Sequence, residues 1–259
     1  MNCSTECSEP LNLSLKCTAL RYTDAALICI YCSLGIYGIL YKRNRKSGQS
    51  NMLDKFIYIA DMVGIISCAI SGVLVATRLR MDPFGIIVLA GVTGIGGGTL
   101  RDMMMGATPV FWIVDNNYIY VILMTTILSV WWLHRIHRAP PYLLIILDAF
   151  GLAIFTIVGA QKALAFGFSG PVAIGMGCIT GVVGGMIRDL LSGQIPFVLQ
   201  KDIYATASIL GGVLFVLGKY IELPSILAMS IAMSGTLLLR LSAIYWHLSL
   251  PVFSADKEA

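Results

Sequence analysis

The chain has 259 residues, of which 57% are hydrophobic and 12% are charged, and its formal net charge is +4. Soluble domains carry about twice that share of charged residues, and the mean hydropathy here is +0.82. The composition therefore excludes a soluble globular protein and indicates a polytopic membrane protein, with no basic, aromatic-rich patch of the kind that binds nucleic acid.

The first predicted element is an apolar run at 25–41, followed by the basic stretch KRNRK. Three interpretations are open for residues 1–51: an extra membrane helix, a signal-like segment, or an over-long gene start in a protein that naturally begins at Met52. The last is preferred. Cys29 and Cys32 have no nearby second pair or histidine, so we interpret them as small hydrophobic residues and not as a metal site.

Seven apolar segments follow, joined by short connections. Each approaches or exceeds the about 20 residues that cross a bilayer. The predicted spans are 56–77, 84–105, 117–133, 141–161, 171–192, 203–220 and 224–246. The sequence shows no nucleophile–histidine–aspartate set and no cluster of metal ligands. We therefore predict neither an enzyme nor a bound cofactor or metal.

An internal repeat organises these spans. At a constant offset of 87 positions, the same glycine, proline, arginine and aspartate residues return. The matched pairs are Asp61 and Asp148, Gly64 and Gly151, Gly72 and Gly159, Gly94 and Gly181, Gly97 and Gly184, Gly98 and Gly185, Arg101 and Arg188, Asp102 and Asp189, Gly106 and Gly193, Pro109 and Pro196, and Asp115 and Asp202. These residue types do not recur together by chance in an apolar chain.

The repeat predicts the architecture. Each copy holds three spans, an odd number, so the second copy enters the membrane from the opposite side. The expected divisions are an N-terminal extension at 1–51, a first repeat at 52–138, a second at 139–222, a seventh helix at 223–247 and a tail at 248–259. The predicted fold is an all-α polytopic membrane protein with two inverted three-helix repeats and a seventh helix, and a site or pathway is expected between the halves.

Glycines are concentrated in the second and fifth spans. Small residues at steps of four, such as Gly94 and Gly98, let another helix approach closely, but this spacing leaves Gly96 and Gly97 unexplained. Because a helical glycine costs about 1 kcal/mol relative to alanine, adjacent glycines favour a kink or break. Irregular backbone at membrane depth is tolerated where it is buried or lines a cavity. We therefore expect a bent pathway at Gly94, Gly96, Gly97, Gly98, Gly181, Gly184 and Gly185.

Each repeat also carries charges inside its spans. An arginine there costs about 2.5–3.5 kcal/mol on insertion and needs a partner. Asp102 is a poor candidate for Arg101 because helix neighbours point about 100° apart, whereas Asp61 lies at the same depth as Arg101. We therefore expect Asp61 to pair with Arg101, and this ion pair either locks the fold or takes part in ion passage. The corresponding residues of the second repeat are Arg188, Asp189 and Asp148. Lys162 and Lys219, near span ends, are expected to extend towards the headgroups.

The doubled GGxxRD element, GIGGGTLRD in one half and GVVGGMIRD in the other, resembles the bacterial members of the trimeric intracellular cation (TRIC) channel family. The same sequences are also labelled a glycine-transporter domain family, UPF0126. The segment ISGVLVATRLRMDPFG at 70–85 and PVFW at 109–112 are similar to this family too, and the likeness runs from about Met52 to about Trp246.

This resemblance implies a homotrimer of seven-helix protomers in the inner membrane of a bacterium, surrounded by lipid. Each protomer would have its own pore between the repeats, kinked at the glycines of the second and fifth helices. Potassium and other monovalent cations would pass through it. The alternative is a secondary transporter of a small solute such as glycine, because inverted repeats with broken helices are also a transporter design. The charges lie nearer the span ends than the midplane, and this favours the channel.

Overall fold

The computed structural model describes residues 49–136, 140, 142–200 and 203–246. The predicted run at 25–41, with Cys29 and Cys32, and the tail at 248–259 lie outside the described residues. Within them the regular structure is entirely helical. The helices are α1 Gln49–Arg78, α2 Pro83–Met104, α3 Phe111–Val114, α4 Asn117–Ile136, α5 Leu143–Ala165, α6 Gly170–Leu191, α7 Phe197–Gln200, α8 Ala205–Tyr220 and α9 Ser225–Tyr245.

The predicted spans correspond to the seven long helices, which confirms an all-α membrane fold. Six of these, α1, α2, α4, α5, α6 and α9, are long and apolar enough to cross a membrane, whereas α8 has 16 residues and is shorter. The two four-residue helices α3 and α7 were not predicted. Each follows the helix that carries an Arg-Asp pair, so they occupy equivalent places in the two repeats.

The helices α2 and α6 end in the same way. Gly106 follows α2 and Gly193 follows α6, and both have positive φ, 66° and 68°. In each case the next residue donates its backbone N–H to an aspartate carbonyl oxygen five positions back: Ala107 to Asp102 at 2.8 Å and Gln194 to Asp189 at 2.9 Å. This is the glycine-dependent turn that commonly closes a helix. It directs the chain back towards the aspartate, where the short helix begins.

The centre of the bundle is the crossing of α2 and α6. A Cβ on Gly97 would overlap the Thr180 carbonyl oxygen, and one on Gly184 would stand 2.5 Å from the Thr93 carbonyl oxygen. These contacts pair early residues of one helix with late residues of the other, so the helices run antiparallel. Thr93 matches Thr180, and Gly97 matches Gly184, at the offset of 87. The contact is therefore reciprocal, as a two-fold axis between inverted repeats requires.

The same symmetry relates the first helices of the two repeats. A Cβ on Gly64 of α1 would stand 2.8 Å from the Phe155 ring of α5, and one on Gly151 of α5 would overlap the Cys68 sulfur of α1. The residues again match at 87, since Cys68 corresponds to Phe155. Glycines thus allow close packing at α1–α5 as well as at α2–α6, which brings the two repeats together along both helix pairs.

The seventh long helix, α9, has no counterpart in the repeat. It packs beside α8, where a Cβ on Gly211 would overlap the Thr236 hydroxyl oxygen. It also contributes Met229 and Ala232 to a buried cluster with Ile157 of α5 and Phe215 of α8. This helix therefore covers the outer side of the second repeat.

Candidate functional site

Two charged clusters flank the crossing of α2 and α6. Arg101 follows Gly97 by four residues, and Arg188 follows Gly184 by four. At 1.5 Å per residue each arginine lies about 6 Å from the crossing. Since the helices are antiparallel, the two arginines lie on opposite sides of it. We call the groups around them the Arg101 cluster (Asp61, Arg101, Asp102, Phe111, Tyr118, Lys162) and the Arg188 cluster (Ser71, Asp148, Arg188, Asp189, Phe197, Tyr204).

The carboxylate of Asp102 is the centre of the Arg101 cluster. Its Oδ1 accepts hydrogen bonds from Arg101 Nε and Lys162 Nζ, both at 2.8 Å, and Oδ2 accepts from Lys162 Nζ at 2.8 Å. Oδ2 also accepts from the backbone N–H of Phe111 at 3.2 Å. One buried carboxylate therefore binds two cations and fixes the start of α3. Charge-assisted bonds of this kind are among the strong ones in proteins.

The ring of Phe111 forms the apolar wall of this cluster. The Arg101 guanidinium carbon lies 5.8 Å and the Lys162 Nζ 5.9 Å from the ring centroid, within cation–π range. The edge of Tyr118 meets the same ring at 4.7 Å between centroids. A Cβ on Gly98 would stand 2.7 Å from the ring. Gly98 therefore gives the ring room beside the helix that carries Arg101.

Asp61 has a different partner from the one expected. Its carboxylate accepts a hydrogen bond from the Tyr118 hydroxyl at 2.8 Å, and the ion pairs within the described residues do not join it to Arg101. It is near enough to Arg101 and Lys162 to interact with their charges. The predicted direct pair between Asp61 and Arg101 is thus wrong, because Asp102 holds Arg101 and Tyr118 holds Asp61.

The Arg188 cluster contains the other predicted pair. Arg188 Nη1 donates to Asp148 Oδ1 at 2.9 Å and to the Ser71 hydroxyl at 3.0 Å. Its Nε donates to Asp189 Oδ1 at 2.9 Å. The Phe197 N–H donates to Asp189 Oδ2 at 3.0 Å, and the Arg188 guanidinium carbon lies 5.5 Å from the Phe197 ring centroid. The predicted pairing of Asp148 with Arg188 is confirmed.

The expectation that neighbouring aspartates are poor partners is wrong in both clusters. The Cβ atoms of Arg101 and Asp102 do point in different directions around the helix. The arginine side chain is long, however, and its guanidinium folds around the helix to the next carboxylate. That carboxylate cannot turn away, because the first N–H of the following short helix holds its other oxygen.

The two clusters also reveal a shift in the repeat. Phe111 and Phe197 are equivalent by their contacts but 86 positions apart, and so are Tyr118 and Tyr204. The Tyr204 hydroxyl interacts with Asp148 as that of Tyr118 does with Asp61. The second repeat is therefore one residue shorter after its proline. A gap-free offset of 87 did not reveal these aromatic residues. Its match of Asp115 to Asp202 is not tested, because Asp202 lies outside the described residues.

The clusters differ in one cation. Lys162 reaches from α5 of the second repeat to Asp102 of the first, and its side chain is 25% exposed, whereas that of Arg188 is 0% exposed. The residue that matches Lys162 beside the Arg188 cluster is Val75, and the one that matches Ser71 beside the Arg101 cluster is Val158. The prediction that Lys162 extends towards the headgroups is wrong, because its ammonium group binds the Asp102 carboxylate.

The repeated glycines serve close approach. The helices α2 and α6 run without interruption through them, so the structure shows no break there, and a bend of the helix axes stays a prediction. Gly97 and Gly184 form the crossing. Gly185 lies beside Asp148, whose Oδ1 would be 3.1 Å from a Cβ there. The remaining glycines face a neighbouring helix or side chain: Gly94 Ile65, Gly96 Ile187, Gly98 Phe111 and Gly181 Leu152.

Chemically, the site is a set of ion-paired and hydrogen-bonded charges, most of them buried, on both sides of a narrow crossing. Among the described residues no group of three or more potential metal ligands occurs. Arginine, lysine and carboxylate groups in such an arrangement can exchange partners with a small ion, and intramembrane charges of this kind commonly mark ion pathways.

Comparison with known proteins shows which proteins this chain resembles. A family model described as "Glycine transporter" matches residues 58–134 and 145–220, one match within each repeat. A UPF0126 membrane protein from Vibrio cholerae is 50% identical over 95% of this chain and 100% of its own length. The UPF0126 inner membrane protein YadS of Escherichia coli K12 is 46% identical over 78% of this chain and 98% of its own.

Solved structures extend the likeness to three dimensions. A TRIC trimeric intracellular cation channel orthologue from Rhodobacter sphaeroides is 36% identical with a TM-score of 0.71, covering 74% of this chain and 99% of that one. A structure described as the basis for conductance through TRIC cation channels is 30% identical with a TM-score of 0.70, covering 77% and 98%. A prokaryotic TRIC channel crystallised in 0.5 M KCl is 31% identical with a TM-score of 0.69, covering 76% and 99%.

Proposed function

We infer a function from one premise: this chain belongs to the UPF0126 family, and it is a multi-pass protein of the bacterial inner membrane. The proposed function is that of a passive channel for monovalent cations, potassium among them, with a pore between the two repeats of each protomer. One observation carries it: three solved TRIC channels match nearly their whole length to this chain at 30–36% identity.

The charges support a cation pathway and not a neutral one. Each side of the crossing holds two carboxylates: the partly buried Asp61 and the buried Asp102 on one, and the buried Asp148 and Asp189 on the other. A cation leaving water for the membrane interior loses its hydration, and carboxylate oxygens compensate for that loss. In the described structure an ammonium group, that of Lys162, occupies the Asp102 carboxylate. A permeating monovalent cation would compete with the Lys162 ammonium group for the Asp102 carboxylate.

We assign the pathway to the residues around the crossing of α2 and α6. The proposed pore and kink positions are Gly94, Gly96, Gly97, Gly98, Gly181, Gly184 and Gly185, and the proposed pathway charges are Asp61, Arg101, Asp102, Asp148, Arg188 and Asp189. A bend in either helix at its glycines would separate α2 from α6 without breaking the clusters at their ends. This division of roles follows from the glycines lying between the two clusters.

We also propose that the protein is a homotrimer with lipid around it. The support is the similarity to the Rhodobacter sphaeroides orthologue, which is a trimeric intracellular cation channel. The helix α4 has the exposed side chains that such an assembly or the lipid would cover, including Met124, Ile127, Leu128 and Trp131.

Current recording from the purified protein in planar bilayers tests the channel. We expect unitary current steps in symmetric KCl, a reversal potential that follows the cation gradient, and no steps from an equal amount of heat-denatured protein. Smooth or absent currents together with saturable solute uptake by the same sample would contradict the proposal.

A secondary transporter of a small solute is the second candidate. It is favoured by the description of the matching family model, "Glycine transporter". Proteoliposomes loaded with unlabelled glycine distinguish the two functions. A transporter accelerates uptake of labelled glycine by counterflow, whereas a cation channel leaves that uptake at the rate of empty liposomes and instead passes potassium.

A further inference from the structure

The helix α9, which lies outside the repeat, places a positively charged residue, Arg240, beside the Arg188 cluster. Arg240 is buried, with 2% of its surface exposed, and its guanidinium carbon lies 4.8 Å from the ring centroid of Tyr204. Its Nη1 donates one long hydrogen bond, 3.4 Å, to the Ile203 carbonyl oxygen. Its Nε has no hydrogen-bond partner within the described residues. The guanidinium is therefore held by the Tyr204 ring and the Ile203 carbonyl oxygen.

Within the Arg188 cluster, Tyr204 lies against Asp148. Its hydroxyl and Asp148 Oδ1 lie 3.3 Å and 3.1 Å from the place where a Cβ on Gly185 would stand, and the two groups interact. Asp148 pairs with Arg188 at 2.9 Å. The contacts thus run from Arg240 through Tyr204 to Asp148 and Arg188, all of them buried.

Comparison of the two ends shows why the extra helix supplies this charge. The Arg101 cluster has two carboxylates, Asp61 and Asp102, and two cations, Arg101 and Lys162. At the other end the residue equivalent to Lys162 is Val75, so among the described residues of the repeats only Arg188 pairs with Asp148 and Asp189. Arg240 restores the balance of two cations and two carboxylates. It does so through a tyrosine ring and not by direct contact with a carboxylate.

Arg240 also holds the point where α8 begins. Tyr204 precedes α8 and makes no side-chain capping bond, while its carbonyl oxygen accepts from Ser208 N at 3.3 Å. With Arg240 on both the Ile203 carbonyl and the Tyr204 ring, the chain before α8 is tied to α9. Movement of α9 would therefore carry Tyr204 away from Asp148.

We propose that Arg240 is a positioning residue: it holds Tyr204 against Asp148 and so keeps the Arg188 end of the pathway closed. This inference rests on the proposed channel function. It assigns control of one end of the pathway to the helix outside the repeat, whereas Lys162, inside the repeat, occupies the other end.

Single-channel recording of three variants tests the proposal. For Arg240→Gln we expect an open probability about thirtyfold above that of the natural protein, the factor that corresponds to loss of one desolvated cation–π contact, with unitary conductance unchanged. Arg240→Lys should fall between the two, because an ammonium group also binds an aromatic face. Thr236→Ala is the control, since Thr236 lies one turn before Arg240, packs against Gly211 of α8 and donates its hydroxyl to Ala232 O of its own helix; its open probability should stay unchanged.

Equal open probabilities for Arg240→Gln and Thr236→Ala would overturn the proposal, and so would a changed unitary conductance without a change in open probability. If Arg240→Gln does not fold, Tyr204→Phe decides, because it keeps the ring for Arg240 but removes the hydroxyl that meets Asp148. That variant must also show a raised open probability.

A measurement that does not depend on ion current tests this inference separately from the channel function. Hydrogen–deuterium exchange at residues 204–208 should rise in Arg240→Gln and Arg240→Lys but not in Thr236→Ala, and exchange at the equivalent residues 118–122 should not change. If the natural protein passes no unitary currents, the channel function fails while this measurement still judges the tie between Arg240 and Tyr204. Unchanged exchange at 204–208 would refute that tie.

Discussion

Gly97 of α2 faces the carbonyl oxygen of Thr180 in α6 so closely that a methyl group at position 97 would overlap that oxygen. The contact recurs in reverse between Gly184 and Thr93. A backbone oxygen cannot rotate away as a side chain can, so the two helices must separate to admit even one carbon atom. The crossing therefore depends on the absence of a side chain at these two positions.

The first prediction follows from this crossing. We expect Gly97→Ala and Gly184→Ala each to reduce stability by about 1–3 kcal/mol, the usual cost of overpacking a close-packed interior. The measurement is the thermal unfolding midpoint of the purified protein in detergent. Gly175→Ala is the matched control, because nothing lies within 4 Å of a Cβ at that position of α6, and alanine favours a helix. Equal midpoints for Gly97→Ala and Gly175→Ala would contradict the described crossing.

The second prediction concerns the ammonium group on Asp102. Lys162→Met keeps the length of the side chain and removes its charge, while Arg101 and the Phe111 N–H still hold the carboxylate. We expect a larger potassium current per channel and a stability loss of about 1–3 kcal/mol, less than the about 3–5 kcal/mol for a fully buried pair, since Lys162 is partly exposed.

The control for this variant is Lys219→Met. Lys219 also lies in the last turn of a helix, but its Nζ donates to the Ser225 hydroxyl at 2.7 Å and not to a carboxylate. Its removal should leave the potassium current unchanged. If both variants behave alike in current recordings, Lys162 does not compete with the permeating ion.

The third prediction compares the two arginines by double-mutant cycles. Asp148→Asn with Arg188→Gln should be coupled by more than about 0.5 kcal/mol, the limit of additivity for independent sites, because these groups are hydrogen-bonded at 2.9 Å. Asp61→Asn with Arg101→Gln should be coupled less strongly, since Tyr118 is the bonded partner of Asp61. Thermal-stability changes of single and double variants provide the energies. The reverse order of the two couplings would contradict the described contacts.

The fourth prediction tests the inversion of the repeats. Reporter fusions after Arg80 and after Gly193 should report the same side of the membrane, because the chain crosses it an even number of times between them, through α2, α4, α5 and α6. Fusions after Gly106 and after Gly167 should report the opposite side. A fusion after Gly167 on the same side as one after Arg80 would exclude two three-helix repeats of opposite orientation.

The short helices and the aromatic residues mark the limit of sequence-based prediction here. The repeat of prolines at 109 and 196 was visible, but the one-residue shift that follows conceals the match of Phe111 with Phe197 and of Tyr118 with Tyr204. Sequence identity at a constant offset fails after a single deletion. Equivalence of contacts survives it, because each phenylalanine N–H binds the same aspartate oxygen in its repeat.

By itself, the sequence predicted seven spans with their approximate limits, the internal repeat and its inversion. These are properties of stretches of chain: hydropathy accumulates over about 20 residues, and an odd number of spans reverses direction whatever the packing. Only the tertiary structure decided which charges meet. Depth along a helix predicted the pair of Asp148 with Arg188, but it could not distinguish Asp61 from Asp102 as the partner of Arg101. It also could not predict that Lys162 joins the Arg101 cluster or that Arg240 lies beside the Arg188 cluster. These pairings depend on which helices are neighbours and on long side chains that reach from one helix to the next. The distances between the charged groups are therefore set only in the folded bundle.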